Sequence, residues 1–499
     1  MTFLAGFDDF GELLGSACSY PRIDLSDRGD AFLFRPVFYL FLSLEYWLFR
    51  VNFLGWQVVG FLLHLLVVWK LAEVLWRIRP TYFVFPIVLN FSVLLIGLEM
   101  VIWQHINGYL LCLFVILLAF DQLVLYWQED EKNEARVRSM VTLLTLASFI
   151  YEVGLVCYVV FVGFLVATSR KRNFGAWLFL PLAAYFLINA FDYFFINRVD
   201  ASTFQFAKNF NLLRFGQSVL SVSLMALYGW LVPSFTDIAL TLRLFFTFQD
   251  RPRIAENFAA QGGFYVLNVL LLIAGAVALL ICVLQRGPAN AAGPAAGSRP
   301  RIAQRAAGLA ATIFVAVILL ISLRVAGHPF AEYHRLSLYY FYITTAFLFL
   351  AVYGWGARCA AALPPARRGL LKVLLASALV LSIGLNATKA HALNAQLRYL
   401  YAPWRTFFGR LDAFVVQHRT EPDFSFQLVW RQPMRVPEYK IEDQGDRFAS
   451  RYFSRFMGGA HAKYFLLYYY REGVLPFSNL GEAHRYARTH PLPSRELFP

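Results

Sequence analysis

A chain that repeats apolar runs close to the length of a bilayer crossing has few folds open to it. A hydrocarbon core about 30 Å thick is spanned by about 20 helical residues, and inside it every backbone N–H and C=O must be satisfied within the segment. Runs of this kind cover residues 54–76, 109–127, 177–196, 264–283, 306–323 and 336–355. With 59% of residues hydrophobic and only 15% charged, the expected class is a polytopic α-helical membrane protein of about 10–11 transmembrane helices. The net charge of +14 would suit nucleic acid, but the basic residues fall in short clusters between apolar runs, as the positive-inside rule produces. Nucleic-acid binding is therefore not expected.

Sidedness follows from those clusters. Residues 37–49 mix Glu45 with Tyr46 and Trp47 and stop short of a span, which reads as a helix lying along the membrane surface. The span at 54–76 ends in Lys70, Arg77 and Arg79, placing that end in the cytoplasm and the amino terminus outside. A span from Tyr82 returns outward to Glu99, Trp103, Gln104 and His105, and 109–127 descends to the mixed-charge loop 128–138. Residues 140–150 and 153–167 are each too short to cross, and two short helices meeting at Glu152 satisfy both lengths. Residues 177–196 go outward; Gly229, Pro233, Asp237 and Arg243 interrupt 214–249, which must hold an even number of crossings.

Residues 264–283 descend into 285–305, whose Gly, Ala, Pro and Arg content reads as a flexible cytoplasmic connector. Residues 306–323 rise to an outer loop with Arg324, His328, Glu332, His334 and Arg335, 336–355 descend, and 373–385 rise again. The domains expected are an outer acidic loop with the surface helix at 1–53, a transmembrane domain at 54–388, and an extracytoplasmic segment at 389–499. In that last segment polar residues alternate with short aromatic runs, the pattern of a small soluble α/β domain. The five cysteines, Cys18, Cys112, Cys157, Cys282 and Cys359, stand singly with no metal-ligand spacing, so they read as small hydrophobes. No secretory signal pattern opens the chain.

Polar residues at the ends of spans are expensive and are functional candidates by default. The inferred outer face gathers Asp8, Asp9, Glu12, Arg35, Glu99, Gln104, His105, Glu152, Asp192, His334 and Arg335. His64 lies seven residues from Gln57 and so on the same helix face; a satisfied packing histidine and a ligand-binding one are both open readings.

The order and local wording of several stretches resemble a known family. Phe7-Asp8-Asp9 is similar to an acidic motif in a first outer loop, and Phe34-Arg35-Pro36-Val37 to the Tyr-Arg-Pro-Leu that follows it. Leu54 to His64 is similar to a Phe-His-x-x-Asn-x-x-x-His pattern. Glu99-Met100-Val101-Ile102-Trp103 is similar to Glu-x-Val-x-Trp, Ser148-Phe149-Ile150-Tyr151-Glu152 to a Ser-Lys-Glu element, and Glu332-Tyr333-His334-Arg335 with Tyr339 and Tyr340 to a Glu-Arg-Tyr-Leu-Tyr stretch. Together they resemble the GT-C superfamily of membrane glycosyltransferases, especially the branch of O-mannosyltransferases that bear tetratricopeptide repeats. The resemblance implies a GT-C-like fold and an inverting hexosyl transfer from a polyprenyl-phosphate-sugar donor to a glycan, lipid or protein acceptor. The place implied is the outer face of a bacterial-type inner membrane, in contact with membrane lipids.

Such a transfer needs a carboxylate to take the acceptor's proton, cations to hold the leaving phosphate and hydrogen-bonding groups for the sugar. The resemblance gives Asp8 and Asp9 the first role, or that of ligands to a divalent cation, Mg or Mn, where a member uses one; a solvated tail or helix cap is the plain alternative. Glu99 is the third catalytic candidate. Arg335 and Arg35 are candidates for the phosphate, Gln57, His64, Gln104, His105 and His334 for substrate, and Glu152 for orienting substrate or metal or for a buried pairing of two helix ends.

Departures from the pattern suggest a different donor or acceptor. Gln57 and Gly60 stand where the family has His and Asn, Tyr151 stands for a Lys, and Asn107-Gly108-Tyr109 replaces a Gly-Arg pair. The span that precedes the acidic loop in the family is expected either to lie ahead of Met1 or to be missing in this member, and with no tetratricopeptide pattern after the last span the terminal segment is expected to be something else. Rival readings are a lipid-linked oligosaccharide flippase or exporter, an O-antigen polymerase or ligase, and a membrane scaffold. Cations deep inside several spans would favour transport.

Overall fold

The computed structural model describes residues 35–49, 53–94, 107–169, 174–191, 211–228, 299–325 and 340–362, with isolated helical positions at 97, 100 and between 369 and 387. The segment 389–499 lies outside them, as do Asp8, Asp9, Glu99, Gln104, His105, His334 and Arg335. Among the described residues the structure is helical and contains no strand. Three helices are long and apolar enough to cross a membrane, at Gly55–Ile78, Asn107–Gln128 and Arg301–Leu323.

The chain enters through α1 (Pro36–Phe49), whose proline sits in the first turn, where its fixed φ suits a helix and its missing N–H is no loss. Phe38, Tyr39, Leu42 and Glu45 are buried against the bundle, while Leu40, Leu44, Trp47 and Leu48 are exposed. Helix α2 (Phe53–Ile78) repeats this at full length. Trp56, Leu63, Val67, Leu71, Val74 and Ile78 are buried, and Val58, Phe61, Leu62, Leu65, Leu66, Trp69 and Trp76 are exposed. An exposed face this apolar would be costly in water and suits contact with lipid.

Helix α3 (Val84–Val93) stops sooner than the apolar run beginning at Tyr82 predicts, because Leu94 turns extended, with ψ at 141°. Helix α4 (Asn107–Gln128) is the centre of the bundle, its apolar residues buried nearly all round. Its end is closed by a left-handed pair, Asp130 (φ 55°) and Glu131 (φ 63°), and the Glu131 N–H reaches the Tyr126 carbonyl at 2.9 Å, a six-to-one closure of the Schellman kind.

Helix α5 (Glu134–Ser148) starts at an Asn133 cap that accepts from the Ala135 N–H, and α6 (Glu152–Thr168) opens directly on Glu152. A short 3-10 turn (Ala176–Leu178) leads to α7 (Leu180–Phe191), and α8 (Leu212–Tyr228) follows. Helix α9 (Arg299–Val325) begins earlier than the low-complexity reading of 285–305 predicts. Pro300 is well placed in a first turn and the alanines that follow are strong helix formers, so Arg301 and Arg305 are helical, not part of a loose connector. Buried Ala303, Ala306, Ala307 and Ala310 let α9 approach α10 (Tyr340–Ala362) closely, the small-residue contact common between helices in lipid.

Candidate functional site

The starts of α1, α2, α4 and α6 lie together at one end of the bundle, and their contacts build the site. Arg35, directly before α1, places its guanidinium 4.5 Å from the centre of the Tyr151 ring and pairs through Nη2 with Glu152 Oε1. The neighbouring backbone reinforces this, since the Val37 N–H donates to the Phe149 carbonyl at 3.2 Å. Tyr151 is itself held by Phe38 and Tyr109, each ring 5.2 Å away. Gly108 permits that packing: a Cβ there would lie 2.3 Å from Phe38 Cδ2 and 3.4 Å from Tyr151 Cε2.

Burial, the largest influence on Arg35, works against its charge; Glu152 and then Tyr151 outweigh it and hold the guanidinium pKa above its ordinary value. Glu152 occupies the first turn of α6, where the partial positive charge of a helix N-terminus favours a carboxylate. With α2 and α4 also starting here, this end of the bundle is suited to anions.

A second polar group lies beside the first. Asn107, the first residue of α4 and 1% exposed, donates through Nδ2 to Glu45 Oε1 at 2.8 Å and to the Trp56 carbonyl at 3.2 Å. Its Oδ1 fills the space over Gly60, where a Cβ would lie only 2.5 Å away. Gln57 is buried on the adjoining turn of α2, and its Nε2 has no hydrogen-bond partner among the described residues.

Of the residues expected from sequence, the structure thus brings Arg35 and Glu152 into contact and buries Gln57 next to Trp56, whose carbonyl meets Asn107. His64 stands apart, deeper in the bundle. Its Nε2–H donates to the Ser92 carbonyl at 3.2 Å, which leaves Nδ1 to accept from the Tyr342 hydroxyl at 2.6 Å. Both ring nitrogens are engaged, joining α2, the last turn of α3 and the first turn of α10. Glu45 and Asn107 did not stand out in the sequence as site residues. Their signals were a lone carboxylate in an apolar 14-residue helix and an amide at the polar edge of an apolar 22-residue one.

The opposite end carries a second charged group. Lys70 Nζ lies 2.7 Å from Asp121 Oδ2 and 2.9 Å from Glu73 Oε2, and Arg77 pairs with Glu73 and, through Nε at 2.7 Å, with Asp121 Oδ1. Two cations meet two carboxylates, so the group is neutral and closed on itself. Nearby, Arg305 binds Glu131 Oε1 at 2.5 Å and the Thr168 carbonyl at 2.9 Å, while the Ser169 hydroxyl donates to Glu131 Oε2 at 2.7 Å. These contacts tie the ends of α4 and α6 to the start of α9.

Among the described residues no three His, Cys, Asp or Glu side chains gather to hold a metal ion. No protein-family model matches the chain, and comparison with curated proteins and with solved structures returns no match.

Proposed function

We propose that this chain is a multi-pass glycosyltransferase of GT-C type in a bacterial-type inner membrane. It moves a hexose from a polyprenyl-phosphate donor to a glycan, lipid or protein acceptor on the outer side, where residues 389–499 also lie. Asp8 or Asp9 activates the acceptor hydroxyl, with a divalent cation if the reaction uses one. Arg35 and Arg335 hold the phosphate, Glu99 orients the reacting groups, Glu152 pairs with Arg35, and Gln57, Gln104, His105 and His334 contact substrate.

The observation that supports this reading is the Arg35–Glu152 pair. Arg35-Pro36-Val37 and Ser148 to Glu152 are separate motif stretches, Arg35 and Glu152 are 117 residues apart, and they meet in an ion pair at the end of the bundle where helix N-termini favour a phosphate. Cations deep in a path would instead favour transport, but Lys70 and Arg77 are each closed on a carboxylate. The test is sugar transfer from a radiolabelled polyprenyl-phosphate hexose in membranes containing the full chain, compared with membranes lacking it. Absence of transfer with every hexose donor tried would remove the enzyme reading.

A further inference from the structure

Arg35 and Glu152 hold each other without being sealed in, with 12% and 20% of their side chains exposed. The guanidinium has donors to spare. A guanidinium carries five N–H groups in a planar fork; the Glu152 contact uses Nη2, the Tyr151 ring takes one face, and the buried Nε has no hydrogen-bond partner among the described residues. A carboxylate and a phosphate offer that fork the same pair of acceptor oxygens, and phosphate carries at least as much charge. A released Glu152 is not left without support, because the first turn of α6 stabilises part of its charge without Arg35 and its side chain is 20% exposed. Tyr151 stays stacked on the guanidinium and keeps it aimed when the carboxylate leaves.

We infer that Glu152 is an internal stand-in for phosphate, so that the Arg35–Glu152 pair is the ligand-free state of an anion latch that the headgroup of a prenyl phosphate opens by displacing the carboxylate. The inference rests on the polyprenyl-phosphate donor proposed above and adds a regulation of that site. The Arg35–Glu152 pair is neutral, and the ligand must outcompete an internal anion before it is seated. Glu152 therefore opposes binding, whereas a residue that touched the ligand or its metal would assist it. The two roles predict effects of opposite sign.

The experiment measures binding to the purified full chain in detergent micelles, with farnesyl phosphate as probe and farnesol and inorganic phosphate as comparators. Glu152→Gln is expected to tighten farnesyl phosphate on the order of tenfold, a difference of about 1.4 kcal/mol, and to leave farnesol unchanged. Glu152→Asp keeps the charge with a shorter reach and falls between wild type and Glu152→Gln. Arg35→Lys keeps a cation but loses the fork, and weakens binding in every background.

Weaker or unchanged farnesyl phosphate binding in folded Glu152→Gln and Glu152→Asp overturns the latch. Farnesyl phosphate binding that is indifferent to both residues overturns the latch while leaving the prenyl-phosphate donor standing. Inorganic phosphate that follows the expected pattern while farnesyl phosphate does not bind keeps the latch and removes that donor. No binding of either probe to wild type or to Glu152→Gln overturns both.

Discussion

Lys70 Nζ lies 2.7 Å from Asp121 Oδ2, joining α2 to α4 inside the apolar bundle, where the two residues are 5% and 2% exposed. Glu73 and Arg77 complete a neutral group of four around them. Removing one member leaves the group with an uncompensated charge, a loss of up to about 3–5 kcal/mol for a buried pair, whereas replacing a buried pair by apolar residues of similar volume is often close to neutral. Asp121→Leu is therefore expected to lower the thermal midpoint of the micelle-solubilised protein strongly, and Lys70→Met combined with Asp121→Leu to recover much of the loss. Additive losses in the double variant would mean that the pair is not coupled.

Gly60 and Asn107 are expected to be coupled for a steric reason. A methyl group at position 60 would meet Asn107 Oδ1 at 2.5 Å, and Asn107 cannot easily retreat because its Nδ2 is tied to Glu45 and the Trp56 carbonyl. Gly60→Ala should destabilise by about 1–3 kcal/mol, the usual range for overpacking. Adding Asn107→Ala removes the clash along with the hydrogen bonds, so the double variant should lose less than the sum of the single ones. Thermal unfolding of the four proteins measures the cycle.

The joint at His64 makes a graded prediction. Tyr342→Phe keeps the ring and removes one donor, so it should cost about 1 kcal/mol, near the value of hydrogen bonds between helices in lipid. His64→Ala strands the Ser92 carbonyl and the Tyr342 hydroxyl together and opens a cavity beside Phe91, whose ring centre lies 6.5 Å from the imidazole. It should cost about 2–4 kcal/mol. Amide hydrogen exchange at the end of α3 and the start of α10 would show the loosening; unchanged protection there in His64→Ala would rule out the joint.

Helices α1, α2 and α4 were legible in the sequence because apolar length and flanking charge are local signals: 54–76 runs into Arg77 and Arg79, and 109–127 runs into the charged residues after Gln128. The junction at Glu152 was legible for the same reason, two apolar runs too short to cross with a carboxylate between them. The start of α9 was not, since Arg299-Pro300-Arg301 followed by alanines reads equally as a low-complexity connector until Glu131 and the Thr168 carbonyl are seen to receive Arg305. Contacts were the least legible layer. Asn107 and Glu45 are 62 residues apart and Lys70 and Asp121 are 51 apart, and no periodicity reports such a pairing. Lys70 read from sequence as a marker of sidedness only. Of the candidate site, Arg35 and Glu152 were visible as motif residues, but that they touch is a property of the fold.

The catalytic assignment makes the last prediction. A general base lost from a transfer reaction typically costs 10²- to 10⁴-fold in rate. Adjacent carboxylates can substitute for one another, so Asp8→Asn or Asp9→Asn alone is a poor test. The combined Asp8→Asn, Asp9→Asn variant removes both carboxylates while keeping size and hydrogen-bonding capacity. Transfer from a polyprenyl-phosphate hexose is expected to fall by at least about a hundredfold, while farnesyl phosphate binding, which is assigned to Arg35, is expected to stay within about twofold of wild type. That split separates a residue that moves the acceptor's proton from one that holds the donor. Full transfer activity in the double variant would sink the assignment of Asp8 and Asp9, and loss of binding together with transfer would place them in donor recognition instead.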